Sequence, residues 1–415
     1  MPLDFEILVV GAGPAGCAAG YDLASAGKHV LLLDKYAFPH HKPCACGLTR
    51  KTLKALRYPV DPVIERVCSD VVLEPVKSPE AVTAPQPADR IRLHARSPIC
   101  AMAVRERFDA FCLQKTLSAA RNGGAISLWK IDRIHALREG PDHVEVDVIR
   151  TDGAETRMET LRAPIIIGAD GSNGQTRRLV QPRTTSPGVA TGESEQDGFA
   201  LEATVPYAAL PKILPSGLAP QELVFDFAPL PGGYGWLFPK ADHLNIGVGV
   251  FSPAQDDGCR RLKQITRKLL QSYAQQKLGI STLDHVTGQQ LGMGGHNYLP
   301  RGRVLLTGDA AGLVDPLTGE GIHSAITSGQ AAAAAILSCP EGERSNDVAA
   351  VYARNLRPLQ RTLAFSLRAA KAFHHHPERG FQAMRTPFMR SLILKTYAEG
   401  IPYTRLLTAL ARFTS

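Results

Sequence analysis

The sequence predicts an α/β fold: a doubly wound parallel-sheet domain, interrupted by an antiparallel sheet and followed by a helical C-terminal segment. Three observations carry this. The chain opens with FEILVVGAGPAG, CAAGYDLASAG and HVLLLDK. These read as a buried strand, a glycine turn into a helix, and a second buried strand, the βαβ unit of doubly wound (Rossmann-type) sheets. Alternating segments punctuated by Pro recur across 73–100 and 190–292, as antiparallel strands do. Beyond about 340 no strand pattern remains and basic residues dominate.

The elements follow in order. After the βαβ unit, the loop AFPHHKPCACGLT leads into a helix at TRKTLKAL. DVVLEPV and IRLHARS read as strands. VRERFDAFCLQKTLSAARNGG is an amphipathic helix stopped by glycines. HVEVDVIR and PIIIGADG are strands, and FALEATV, ELVFDF, YGWLFP and HLNIGVGVF make the inserted sheet. VLLTGDAAG is a buried strand entering a turn, and HSAITSGQAAAAAIL is a helix. The expected layout is discontinuous. Residues 1–72, 101–189 and 293–340 form the nucleotide-type domain, 73–100 and 190–292 the antiparallel-sheet domain, and 341–415 a basic helical segment.

A chain of 415 residues can bury two cores. It contains no apolar run long enough to span a bilayer. The N-terminal apolar run leads into glycines rather than a cleavage site, which predicts a cytoplasmic protein with thiol cysteines. Cys44 and Cys46 lack zinc-site spacing, so no metal is expected. The run His374–His376 cannot share one helix face and reads as solvated. The net charge of +8 is concentrated at one end: residues 351–415 hold eleven Lys or Arg against two Glu. That fits equally a solvated basic face with affinity for any polyanion and a peripheral membrane contact, the reading tied to an apolar substrate. No nucleic-acid recognition module is present.

Three glycine motifs carry chemistry. In Gly11-Ala12-Gly13-Pro14-Ala15-Gly16, Gly11 permits the tight turn, Gly13 close approach of a pyrophosphate, and Gly16 close helix–strand packing. The helix N-terminus that follows offers amides and a positive dipole to phosphate. Asp34 ends the second strand, where an acid accepts hydrogen bonds from ribose hydroxyls. Gly168-Ala169-Asp170-Gly171 reads equally as a site and as a plain turn. In Gly308-Asp309-Ala310-Ala311-Gly312, Asp309 can bond a polyol chain, and Gly319 to Ile322 can present backbone amides to an electron-accepting ring.

Together, in this order, the motifs resemble the FAD-binding pattern of p-hydroxybenzoate hydroxylase-like flavoproteins over most of 1–340. The resemblance implies that the first motif binds ADP, Asp34 the adenine ribose, Asp309 the ribityl chain, and Arg105 in VRERFD the cofactor as well. That pattern usually has Ser where Gly174 stands. Two further stretches are similar to the geranylgeranyl reductase family. His41-Lys42-Pro43-Cys44-Ala45-Cys46-Gly47-Leu48 is similar to its KPCGGGL-type segment, with Cys46 replacing a glycine. Pro231, Tyr234, Trp236, Phe238 and Pro239 match its PxxYxWxFP pattern. The family reduces isolated C=C bonds of isoprenoid chains with reduced FAD. The resemblance implies that Cys44 lies near the flavin and is catalytic, and that Tyr234, Trp236 and Phe238 line the substrate cavity. Cys46 is either a redox partner of Cys44 or a filler of space.

The candidate cofactor-binding set is Gly11, Gly13, Ala15, Gly16, Asp34, Lys35, Cys46, Gly47, Leu48, Arg105, Asp309, Gly319, Gly321 and Ile322. The expected activity is FAD-dependent reduction of C=C bonds in an isoprenoid or other apolar small molecule. Electrons would come from NAD(P)H or a ferredoxin-type protein. The alternative is a flavin-dependent monooxygenase or halogenase. Halogenases carry WxWxIP where this chain has YGWLFP, so the reductase pattern fits better. An electron carrier of the flavoprotein:quinone oxidoreductase kind would need a C-terminal cysteine cluster, and only Cys339 lies beyond 300.

Overall fold

The computed structural model describes residues 5–75, 87–152, 155–180, 198–227, 232–250, 259–339 and 345–398. Its elements begin with β1 (Ile7–Val10), α1 (Pro14–Ser25), β2 (His29–Asp34), β3 (Gly47–Thr49), α2 (Arg50–Ala55), β4 (Ile64–Cys68), β5 (Asp70–Glu74), β6 (Ile91–His94), β7 (Cys100–Ala103), α3 (Arg105–Leu117) and β8 (Ala125–Lys130). There follow β9 (Arg133–Glu139), β10 (Val144–Asp152), β11 (Glu155–Ala163), β12 (Ile165–Gly168), α4 (Thr176–Val180), β13 (Gly198–Pro206), β14 (Leu223–Asp226), β15 (Gly233–Pro239) and β16 (His243–Val250). Last come α5 (Cys259–Leu278), β17 (Thr287–Leu291), β18 (Val304–Leu306), α6 (Ile322–Ser338), α7 (Ser345–His375), α8 (Pro377–Met384) and α9 (Pro387–Ala398).

Strands β1, β2 and β12 are apolar runs because both their faces are covered. They lie in an all-parallel five-stranded sheet of order β18-β12-β1-β2-β8. On that sheet α1 and α6 cross at backbone contact. A Cβ on Gly329 of α6 would stand 2.2 Å from the Ala15 carbonyl oxygen. A meander of β9, β10 and β11 follows β8.

The second large sheet has seven strands in the order β17-β13-β16-β15-β14-β5-β6. Its pairs are antiparallel except β14 with β5, which run parallel. Period-two alternation divides its faces. Leu201, Ala203, Val205, Leu237, Ile246 and Val248 pack with Leu270, Tyr273, Ala274 and Leu278 of α5. The other face carries Tyr234, Trp236 and Phe238 and meets the parallel-sheet domain. The helix α5 falls inside the stretch read from sequence as sheet alone. Its apolar residues at 270, 273, 274 and 278 follow helical spacing. A third sheet, β3-β7-β4, ties the cysteine loop to the strand leading into α3.

The C-terminal segment is helical as far as it is described. α7 is anchored by the Tyr352 hydroxyl donating to the Leu306 carbonyl at 2.7 Å. Among the described residues no helix is long and apolar enough to cross a membrane.

Candidate active site

The parallel sheet and the seven-stranded sheet border one cavity that is open to solvent. From the parallel-sheet side it is lined by Gly13, Ala15, Arg105, Asp309 and the turn Gly319–Ile322. Cys44, Cys46 and Gly47 line it from the loop before β3, and Tyr234, Trp236 and Phe238 from β15. Thirteen of the residues singled out from sequence therefore border one space.

Five others stand back from it. Gly11 has φ +102°, and a Cβ there would lie 2.3 Å from the Ala169 carbonyl oxygen. A Cβ on Gly16 would lie 1.8 Å from the Gly11 carbonyl oxygen. These two glycines shape the turn by close backbone approach. Gly13 is the open one, with nothing within 4 Å of its missing Cβ. That leaves a cradle at the N-terminus of α1 into which a pyrophosphate fits. The Asp34 carboxylate accepts from the Ala12 amide at 2.7 Å and the Tyr36 amide at 2.9 Å, which fixes it at the strand end. Lys35 is exposed, its ammonium 4.8 Å above the Tyr36 ring. Leu48 is fully buried in the core. Pro231 lies outside the described residues.

The turn before α6 is held by Asp315. Its Oδ1 accepts from the Leu317 and Thr318 amides, and its Oδ2 from Ser366 of α7. Gly319 follows at φ +67°, which suits glycine. Glu320 is buried and paired with Lys51 at 2.5 Å. Its Oε1 accepts from the hydroxyls of Thr49 at 2.7 Å and Thr52 at 3.0 Å. Burial alone would raise the proton affinity of Glu320, but Lys51 outweighs it and holds the carboxyl below its usual range. Neighbouring His323 is lowered to about 4 by burial and by Lys51, so it is neutral.

The aromatic wall is tied to this turn. The Tyr234 hydroxyl donates to the Thr318 carbonyl at 2.5 Å. Trp236 is 6% exposed, and its Nε1 donates to Asn245 Oδ1 at 2.7 Å. Trp236 pairs in register with Gly247 of β16, where a Cβ would lie 2.0 Å from the indole. The ring thus lies across the missing side chain. Phe225 extends the wall, edge-on to Tyr234 at 5.4 Å and to Phe238 at 5.3 Å.

The cysteine loop is also held from below. Lys240, 2% exposed, donates from Nζ to the carbonyls of Ala45 at 2.6 Å and Ala103 at 2.8 Å. The Cys44 amide donates to Glu202 Oε1 at 2.8 Å, and the Cys46 amide to Cys44 Sγ at 3.4 Å. Both thiols are free, and Cys46 is 1% exposed at φ +46°. Burial, then the neighbouring Cys44, pushes the Cys46 thiol well up.

The segment after β12 forms a turn, and its Ala169 and Gly171 also line the cavity. Asp170 accepts from the amides of Gln175 at 2.6 Å and Thr176 at 2.9 Å and from the Thr176 hydroxyl, at the start of α4. A Cβ on Gly174 would sit 2.2 Å from the Asp170 carboxyl carbon. Gly174→Ala should therefore displace this cap and destabilise by about 1–3 kcal/mol. A thermal melt checks this, and an unchanged midpoint would refute it.

An FAD binding domain model matches residues 4–196, and a geranylgeranyl reductase catalytic domain model matches residues 220–289. The second match spans the whole aromatic wall. By these two matches the chain resembles the geranylgeranyl reductase family, and it is an FAD-dependent oxidoreductase. Digeranylgeranylglycerophospholipid reductase 2 of Methanopyrus kandleri is 25% identical, covering 95% of this chain and 92% of that one. Geranylgeranyl diphosphate reductase of Rhodobacter capsulatus is 25% identical over 81% of this chain and 76% of its own. The crystal structure of a geranylgeranyl bacteriochlorophyll reductase-like protein from Thermoplasma acidophilum superposes with a TM-score of 0.74 at 18% identity, covering 98% and 99% of the two chains. The flavin-dependent brominase Bmp2 shares the fold at a TM-score of 0.64 and 16% identity. The cofactor of this chain is FAD.

Sequence reading missed several groups at this site: Glu202, Lys240, Asn245, Gly247 and the roles of Thr49 and Lys51 around Glu320. Lys240 directly follows the matched YGWLFP stretch, and Glu202 interrupts an otherwise apolar strand. A buried charge on a sheet strand was the available signal.

Proposed function

We propose that this protein reduces C=C bonds in an isoprenoid chain or prenyl lipid. The observation that carries the reading is the shared cavity. Gly13, Ala15, Arg105, Asp309 and Gly319–Ile322 of the flavin motifs border one space with the rigid apolar wall of β15. Gly13 and the N-terminus of α1 take the pyrophosphate, and Asp34 takes the adenine ribose. Asp309 takes the ribityl chain, while the Gly321 and Ile322 amides and Arg105 hold the ring end; the Gly319 amide donates instead to the Asp315 carbonyl at 2.8 Å and the Glu320 amide to the Thr318 hydroxyl at 3.3 Å. Bound FAD, when reduced, supplies the hydride equivalent. The protein supplies position and dryness: Tyr234, Trp236 and Phe238 lay an apolar chain against the ring with little entropy lost. Cys44 borders the reacting end of the cavity.

The reductant is external, NAD(P)H or a reduced ferredoxin. Bleaching of the flavin under anaerobic titration with each distinguishes them. A peripheral hold on the membrane, where prenyl lipids reside, belongs to the same reading. Its face is the C-terminal helices, where Phe388 is exposed between Arg385 and Arg390.

The purified protein is expected to retain FAD. Without oxygen, it should add two hydrogens per double bond to a geranylgeranyl-bearing lipid, as read by mass spectrometry. A product that instead gains oxygen or halogen, only in air, would overturn the reading in favour of a monooxygenase or halogenase.

A further inference from the structure

The reduction of an isolated alkene needs a proton as well as a hydride equivalent. We propose that Glu202 is the acid that delivers that proton, an assignment that rests on the reductase reading above.

Glu202 stands on the cavity face of β13, two residues from Ala200, which also lines the cavity. Between and beyond them Leu201 and Ala203 turn to the α5 side. In register, Glu202 pairs with Gly247, and Gly247 pairs with Trp236. The row across the sheet is carboxyl, bare backbone, indole. The indole overlies Gly247 because no side chain is there, which brings the aromatic wall toward the carboxyl. A relay of hydrogen bonds fixes the arrangement. Trp236 Nε1 donates to Asn245 Oδ1, and the Asn245 side chain bonds Glu202. The Cys44 amide donates to Glu202 Oε1. The carboxyl is therefore held in place, 7% exposed, on the wall that would carry the substrate.

The groups facing it come from three sides. Cys44 and His41 approach from the loop before β3, Lys240 from the end of β15, and Asn245 from β16. Burial raises the proton affinity of Glu202. The Cys44 amide, Asn245, Lys240 and His41 oppose this without cancelling it. The other cavity acids are differently placed. Glu320 is held ionised by Lys51, and the Tyr234 hydroxyl is committed to Thr318. The Cys46 and Cys100 thiols are pushed up by burial. Asp309 belongs to the proposed ribityl contact.

The step balances. One alkene carbon gains the hydride equivalent from reduced FAD. The Glu202 O–H bond breaks, its electron pair stays on the carboxylate, and the proton forms the second C–H bond. The alkene is reduced by two electrons, FAD is oxidised, and the carboxylate recovers a proton from water. Because the acid form acts, turnover should fall as pH rises through the Glu202 titration.

Glu202→Gln keeps an oxygen acceptor for the Cys44 amide and removes the acid. It should retain FAD and its melting temperature. Anaerobic single turnover of the pre-reduced enzyme with a geranylgeranyl-bearing lipid should slow by about 10²–10⁴-fold and lose its fall with pH. In the infrared, the wild type should show a protonated carboxyl band that vanishes as pH rises and is missing from the variant, with or without substrate. Glu202→Asp should recover part of the rate and a pH-dependent slope, which a purely structural role would not. The assignment is overturned if Glu202→Gln turns over like the wild type with the same pH profile. It is equally overturned if Glu202→Asp, folded and flavin-loaded, is no better than Gln, or if Cys44→Ala rather than Glu202→Gln abolishes the pH dependence. If the wild type itself reduces no double bond, the reductase reading falls, and this assignment falls with it.

Discussion

Lys240→Met is expected to lower the unfolding free energy by about 1–4 kcal/mol, because the buried Ala103 carbonyl and the part-buried Ala45 carbonyl lose this donor. The side chain is nearly isosteric, so packing survives while the donors vanish. Ala45 and Ala103 would keep their oxygens in a site where Lys240 is only 2% exposed. Nothing else about the lysine is easily replaced. Its own backbone carbonyl accepts from Arg66 Nε at 3.2 Å and the Tyr207 hydroxyl at 3.0 Å, so the backbone stays pinned after the substitution. The damage should centre on the Cys44–Cys46 loop. Denaturant titration reads the stability loss, and faster alkylation of Cys44 reads the loosened loop. An unchanged midpoint with unchanged alkylation would mean that the clamp contributes nothing.

The second large effect is expected at Gly247. An alanine methyl there would stand 2.0 Å from the Trp236 ring, so the ring must leave. The protein cost is about 1–3 kcal/mol, because a side chain rather than backbone gives way. The catalytic cost should be larger, since a misplacement of about 1 Å at a reacting site can cost about 10²-fold. Trp236→Ala removes the same ring from a buried cluster and should cost about 3–5 kcal/mol, with flavin retained and turnover of a long apolar substrate impaired. The double variant decides between wall and core. If Gly247→Ala acts by displacing Trp236, adding it to Trp236→Ala should cost little more. Fully additive losses would sink that account. Loss of flavin together with unfolding in Trp236→Ala would return the aromatic stretch to an ordinary core role.

The architecture was legible where a local pattern dictated it. Apolar runs covered on both faces announced β1, β2 and β12, and the glycine spacing announced the turn into α1. The alternation Tyr234, Trp236, Phe238 announced one face of β15, and the structure turns that face to the cavity. Helix α5 was missed because its polar residues outnumber its apolar stripe, although the apolar spacing 262, 265, 269, 270, 273, 274, 278 is helical. The polar relay was hidden for a different reason. Glu202 and Asn245 lie on separate strands, and the contact between them depends on register. Gly247 looked like any strand glycine until Trp236 was laid across it. The departure at Gly174 became meaningful only when the Asp170 carboxyl was found in the space a side chain would take.

The strut from Tyr234 to Thr318 has a consequence for how the protein assembles. Its two ends are 84 residues apart in the chain. The Cys44–Glu202 bond spans 158 residues and the Lys240–Ala45 bond spans 195. Each of these three bonds joins parts of the cavity lining that are far apart in sequence, so each closes a long loop and forms only after the strands on both sides of it are in place. The cavity is then a late product of folding. A ligand that binds only the finished cavity stabilises the docked state by mass action. FAD binding and formation of the cavity are thermodynamically linked, so added FAD should raise the melting temperature.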